Sequence, residues 1–194
     1  MGAAPATGCS REASPSAKMV AMRIRPVSPP DLAFLAEMTL LAAIPPGPLP
    51  EGAAGLARVR RWTEGWGRPG DLGVVAWDGD ERIGAAWCRF QDEAIVRADG
   101  GAAMAEIAIA VVPSRRSRGV GGELLAALGN EAARHGHQDL CLTVGAANPA
   151  LRLYERAGFT TVSRVGGRVA MATRLPAHVE QCPDPQPSGR SAPG

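Results

Sequence analysis

Apolar periodicity begins only at Met22. Before it, residues 1–21 are a run of Ala, Ser, Pro and Gly, a composition that offers no face to bury and predicts a disordered extension. Met22–Val27 reads as a short strand. Ser28-Pro29-Pro30-Asp31 then spells a helix start, with a serine cap, proline at the first helical position and an acid at the third. Leu32, Leu35, Met38, Leu41 and Ile44 recur at helical spacing, so this helix buries one face until Pro45-Pro46 stops it. A second helix is predicted over roughly Ala54–Gly65, within a Pro- and Gly-rich stretch.

Gly73–Trp77 and Arg82–Phe90 predict two strands joined at Asp78-Gly79-Asp80, a hairpin signal. After a polar loop over Gln91–Gly101, the run from Ala105 to Val112 is apolar and rich in β-branched residues, the pattern of a buried strand. It passes Pro113, enters a basic turn, and becomes a helix with Val120, Leu124, Leu125 and Leu128 on one stripe. Asp139–Val144 is a further strand. Asn148-Pro149 opens a last helix that Gly158 ends, and Phe159–Val165 pairs with Arg168–Thr173 across Gly166-Gly167. From Pro176 the chain is again Pro-rich. The pattern divides the chain into an extension over 1–21, one domain over 22–175 and a disordered tail over 176–194.

Candidate chemistry concentrates where the apolar strand turns into a helix through Arg116-Ser117-Arg118-Gly119-Val120-Gly121-Gly122. A helix N-terminus carries unpaired N–H groups and a positive dipole end, and glycine lets an anion approach the backbone. Arg116 and Arg118 add full charges beside it. The spacing is not the dinucleotide pattern G-x-G-x-x-G, and it lacks the Gly-Lys-Ser/Thr ending of a P-loop.

The spacing Arg116-x-x-Gly119-x-Gly121 resembles the acyl-CoA pyrophosphate loop of the GNAT superfamily of N-acetyltransferases. Glu106 stands five residues before Val111 on the preceding strand. Asn148 to Phe159, with Leu153-Tyr154-Glu155 and Gly158-Phe159, is similar to that family's second signature. The resemblance covers about residues 22–175. It implies an α+β fold with a central mixed, mostly antiparallel sheet flanked by helices, in the order β-α-α-β-β-β-α-β-α-β-β. It also implies acetyl-CoA as co-substrate, an amine as acceptor, and direct attack in a ternary complex. In that scheme Glu106 is the general base and Tyr154 protonates or hydrogen-bonds the departing thiolate. Ile109, Ala110 and Val111 offer backbone groups to the pantetheine arm, the Val111 N–H polarises the thioester carbonyl, and Ser117–Gly122 hold the pyrophosphate, with Asn148 a further contact.

Each assignment has a plainer alternative. Glu106 reads equally as an acid on the wet face of an alternating strand, Tyr154 as a helix tyrosine packed on the sheet, and Asn148 as an N-cap beside Pro149. Two positions depart from the family pattern. Tyr154 follows Asn148 by six residues where seven are common, and Gly122 replaces a side chain that commonly contacts phosphate. His135 and His137 read as cations at a helix end rather than metal ligands, and no metal is expected. Trp62 or Trp66 is a candidate wall of the acceptor groove. Glu64, Asp92, Glu93 and Glu37 are candidates for holding a cationic acceptor.

Composition adds limits. The net charge is +2, and 20 of the 21 basic residues are arginines, Lys18 excepted, a bias typical of a GC-rich bacterial genome. No basic stripe interleaved with aromatics points to nucleic acid. No apolar run approaches the roughly 20 residues of a membrane helix. Cys9, Cys88, Cys141 and Cys182 form no C-x-x-C pair, and a reducing cytoplasm suits them. A homodimer remains open. The alternative of another class is a non-catalytic acyl-CoA-binding or sensor module of the same fold, which would need neither Glu106 nor Tyr154 at a thioester.

Overall fold

The computed structural model describes residues 22–42 and 53–177. The two terminal segments, Ile44 and the Pro45-Pro46 stop lie outside the described residues. Strands β1 (Arg23–Pro26), β2 (Leu72–Asp78), β3 (Glu81–Arg89), β4 (Ala105–Val111), β5 (Asp139–Gly145), β6 (Thr160–Val165) and β7 (Arg168–Arg174) alternate with helices α1 (Leu32–Ala42), α2 (Ala53–Thr63), α3 (Val120–Arg134) and α4 (Leu151–Arg156). The observed succession β-α-α-β-β-β-α-β-α-β-β is the one the resemblance implies. The strands form one sheet in the order β1-β2-β3-β4-β5-β7-β6, antiparallel throughout except at β4–β5.

Period-two alternation in the strands separates two cores. Val74, Ala76, Ala86, Cys88, Ile107, Leu142 and Met171 face α3 and α4, where Leu124, Leu125 and Leu128 meet them. Val75, Ala85, Trp87 and Ala110 face the opposite side, under Leu35 and Met38 of α1 and Trp62 of α2. Trp62 and Trp87 meet edge to face, ring centroids 6.1 Å apart. Glycine at 84 lets α3 sit close, since a Cβ there would stand 2.9 Å from the Ala110 carbonyl oxygen and 3.1 Å from Leu124 Cδ1.

Local signals shift in small ways. The Asp31 carboxylate accepts from the Ser28 N–H at 3.0 Å and its hydroxyl at 2.6 Å. However, Pro29–Asp31 forms a 3-10 turn, and α1 begins only at Leu32. Burial pushes the Asp31 carboxyl up, but hydrogen bonds from Ser28 and Arg82 and the nearby Arg25 outweigh it, leaving a net downward shift. The last helix starts at Leu151 rather than at Asn148-Pro149. Asn148 Oδ1 accepts the Ala150 N–H at 2.9 Å, an Asx-type turn that feeds the helix without belonging to it.

One buried ion pair fixes the end of α2. Arg89 and Asp71, 1% and 2% exposed, meet in two contacts, Nη2–Oδ2 at 2.6 Å and Nε–Oδ1 at 2.8 Å. Arg89 Nη1 donates to the carbonyls of Arg61 and Glu64 at 3.1 and 3.0 Å. The guanidinium therefore closes the orphan C-terminal carbonyls of α2 and favours the negative end of its dipole. Asp71→Ala strands the buried Arg89 charge and should lower unfolding free energy by about 3–5 kcal/mol. Chemical denaturation measures it, and a loss below about 1 kcal/mol would show that the pair does not anchor α2.

Candidate active site

Strands β4 and β5 pair only at Ala105–Leu140 and Glu106–Cys141. Beyond Glu106 they part, although β4 runs on to Val111 and β5 to Gly145. On its other side β4 stays paired with β3, Gly84 opposite Val111 and Ala85 opposite Ala110. The Val112 N–H donates to the Ile83 carbonyl at 3.0 Å. Backbone groups alternate in direction along an antiparallel ladder, so Val112, Ala110 and Ala108 point at β3 while Val111 and Ile109 point into the gap. The Val111 carbonyl agrees with this, accepting Arg116 Nε at 3.0 Å from the side away from β3. Of the three expected backbone contributors, Ile109 and Val111 face the gap, whereas the backbone groups of Ala110 belong to the β3 ladder.

At the upper end of the gap the chain turns through Pro113–Arg115, a 3-10 turn, into α3. Ser117 has φ 59° and Gly119 φ 86°, two left-handed residues that aim the turn at the cavity. Gly119 is the N-cap, and no side chain caps the helix. Its first N–H groups therefore remain open to an anion. Ile109, Val111, Arg116, Ser117, Gly119, Val120, Gly121, Gly122 and Asn148 line a cavity of about 410 Å³, in the range of small-molecule sites. Arg118 is exposed and does not line it. Arg115 does, but is engaged by Asp78 at 2.7 Å and Glu81 at 3.0 Å, which tie the turn to the β2–β3 hairpin.

Glu106 sits at the fork of the strands, on the face covered by α2, and is buried. Its Oε2 receives Arg61 Nη2 at 2.7 Å, and Thr143 Oγ1 lies 3.5 Å from its Oε1. The acid is thus neither on a wet face nor unpaired, and the ion pair with Arg61 supplies what a buried carboxylate requires. Tyr154 projects from α4 and packs edge to face on Phe159. Burial pushes its hydroxyl up to about 12, so it holds its proton at neutral pH. Glu106, Arg61, Trp62, Thr143, Tyr154 and Arg168 surround a second cavity of about 100 Å³. Tyr154 and Ile109 line both cavities, so the two adjoin there.

The chain and its fold are similar to those of known proteins. The model of the acetyltransferase (GNAT) family matches residues 38–159. The chain belongs to the acetyltransferase (GNAT) family. It is similar to mycothiol acetyltransferase of Clavibacter sepedonicus, 40% identical over 101 residues, which are 51% of this chain and 30% of that protein. The chain therefore spans under a third of that curated relative. In fold it is similar to YncA of Salmonella typhimurium, solved with its cofactor acetyl-CoA (TM-score 0.61, 24% identity, 84% of this chain and 99% of the other). It is also similar to a GCN5-related N-acetyltransferase of Kribbella flavida (TM-score 0.59, 25% identity, 80% and 98%). The splayed strands, the uncapped α3 and the glycine turn fit the acyl-CoA such folds hold, since they offer N–H donors without a side chain in the way.

Other expectations for this GNAT domain sort by burial. Glu37, Glu64, Asp92 and Glu93 are all exposed and none lines the small cavity, so the acidic acceptor cluster is not formed. Of the two tryptophans, Trp62 lines that cavity and Trp66 does not. His137 is not a helix-end cation. Burial, with His135 beside it, depresses its pKa, and it stacks on Phe90 with centroids 5.3 Å apart. Burial pushes the thiols of Cys88 and Cys141 up to about 12, unfit as nucleophiles. Among the described residues no acid, cysteine and histidine group could hold a metal, and no helix is long and apolar enough to cross a membrane. Sequence reasoning missed Arg61, Thr143 and Arg168, whose partners lie 25 to 45 residues away along the chain.

Proposed function

We propose that this domain transfers an acetyl group from acetyl-CoA to an amine by direct attack in a ternary complex. The observation that carries the reading is the junction of the two cavities, with Glu106 on one side and Tyr154 shared between them. The α3 N-terminus and Ser117–Gly122 hold the pyrophosphate, and the gap-facing groups of Ile109 and Val111 hold the pantetheine arm. Glu106, directly or through one water, takes the proton of the attacking amine as its nitrogen bonds the thioester carbonyl carbon. The Val111 N–H donates to the oxygen of the tetrahedral adduct. As the C–S bond breaks, Tyr154 gives its proton to the sulfur, leaving amide and CoA thiol. A module that only binds acyl-CoA has no use for a buried acid at this fork. The buried, free Cys88 and Cys141 are in keeping with a reducing cytoplasm. Self-association belongs to the same proposal through the edge strand β6, where Val162 and Val165 are exposed. A screen for amine-dependent release of CoA thiol, across amines, amino acids, aminoglycosides and peptide N-termini, tests the reading. No release with any of them would overturn it.

Tyr154→Phe should lower turnover by about tenfold, less than loss of the base, because thiolate is already a tolerable leaving group. With its pKa raised to about 12, the phenol is the acid form at all lower pH and is lost only as pH rises through that value. The pH profiles of wild type and Tyr154→Phe should therefore share their shape below pH 12. An alkaline limb near pH 9 that vanishes in the phenylalanine variant would contradict the raised pKa, whereas equal turnover of Tyr154→Phe and wild type would remove Tyr154 as the acid.

A further inference from the structure

The small cavity is built around cations. Arg61 Nη2 contacts Glu106 Oε2 at 2.7 Å while its Nε donates to Gln91 Oε1 at 2.9 Å, which fixes the guanidinium plane. From the opposite wall, Arg168 Nη2 donates to Thr143 Oγ1 at 2.7 Å, and that hydroxyl lies 3.5 Å from Glu106 Oε1. The order across the cavity is Arg61, Glu106, Thr143, Arg168. One carboxylate stands between two guanidinium groups. Among the described residues Arg168 forms no salt bridge, and the described lining of this cavity sets two arginines against one glutamate. A second positive charge on an acceptor would meet these two guanidinium groups, and the expected acids Asp92 and Glu93 are exposed and do not line the cavity.

We infer that the acceptor is a small amino acid or a close relative of one, bearing a carboxylate next to its reacting amine, with Arg168 and the remaining donors of Arg61 holding that carboxylate while the amine faces Glu106. The inference rests on the transferase reading and adds the substrate class. Guanidinium groups have a planar fork of donors matched to a carboxylate, and each stays charged at any assay pH. In an α-amino acid the carboxylate is one carbon from the amine, so a nitrogen at Glu106 places the anion within reach of a guanidinium flanking that acid. The cavity of about 100 Å³ suits an acceptor of a few heavy atoms beyond the amine rather than a polymer. Trp62, on the buried face of α2, supplies an apolar wall for a short side chain.

The test uses the full chain with acetyl-CoA and three acceptor series: L-amino acids, the matching α-carboxamides, and aliphatic diamines. Amino acids should show kcat/KM about 10- to 100-fold above their carboxamides, the scale of a charge-assisted hydrogen bond, with diamines lowest. Arg168→Gln should raise KM for amino acids about tenfold or more and leave KM for carboxamides within about twofold. Arg168→Lys should restore part of the loss. Acetyl-CoA affinity, measured by calorimetry, should be unchanged in both variants, which also reports correct folding. Equal use of acids and carboxamides, or a preference for diamines, overturns the inference and leaves acetyl transfer standing. Acetyl-CoA binding without acetylation of any series removes the transferase reading, and this inference with it.

Discussion

Glu106→Gln should bind acetyl-CoA with unaltered affinity and turn over about 100-fold or more slowly, the usual scale for a positioned general base. Glutamine keeps the volume, its oxygen can accept from Arg61 and its NH2 can donate to the Thr143 hydroxyl oxygen, so the fork of β4 and β5 has no reason to move. What it removes is the ability to take a proton. Part of any loss could come through Arg61, whose side chain is 48% exposed and would lose its carboxylate partner. Arg61→Gln separates the two. It breaks the same pair while keeping the acid, and should raise acceptor KM far more than it lowers kcat. A combined measurement of kcat, acceptor KM and acetyl-CoA affinity for both variants therefore distinguishes base from scaffold. Wild-type kcat in Glu106→Gln with a verified acceptor would assign the proton to water or to another group.

Gly119→Val should weaken acetyl-CoA binding by about 100-fold. At φ 86° a β-branched residue carries backbone strain of roughly 1–3 kcal/mol, which the free turn sheds by leaving the phosphate-binding shape; restoring that shape on binding costs affinity, tenfold for each 1.4 kcal/mol. An added Cβ meets nothing within 4 Å in the protein, so no internal clash is at work. The side chain instead occupies the space in front of the α3 N–H groups, where a phosphate has to come close. Gly121→Val differs, because a Cβ at 121 stands 3.2 Å from Leu153 Cδ2 and presses α3 against α4. The first variant should lose affinity with little change in melting temperature, and the second should lose both. Calorimetric titration with thermal unfolding reads the contrast, and full affinity in a folded Gly119→Val protein would exclude this turn as the phosphate site.

Legibility in the sequence followed the range of the interactions. The strand from Ala105, the glycine turn and the helix to Arg134 were readable because period-two and helical spacing, glycine and proline act within a few residues. The start of α4 was misplaced by two residues because an asparagine side chain satisfies a turn as readily as a helix cap. The helix-end cation at 137 failed for another reason. Whether a histidine is charged depends on what buries it, and Phe90 arrives from β3's end, 47 positions earlier.

The acceptor side shows the same division most sharply. Sequence by itself determined the order of elements, the glycine turn before α3 and the positions of Glu106 and Tyr154, since each rests on local pattern and on signatures contained in short segments. Tertiary structure decided the charge of the small cavity. Arg61 comes from α2, Glu106 from β4, Thr143 from β5 and Arg168 from β7, brought together where β4 leaves β5 after two paired positions. Arginines are scattered along the whole chain, and no spacing marks the two that meet one carboxylate. Charge in a cavity is a sum over side chains contributed by separate elements, so it exists only once the sheet has set them side by side.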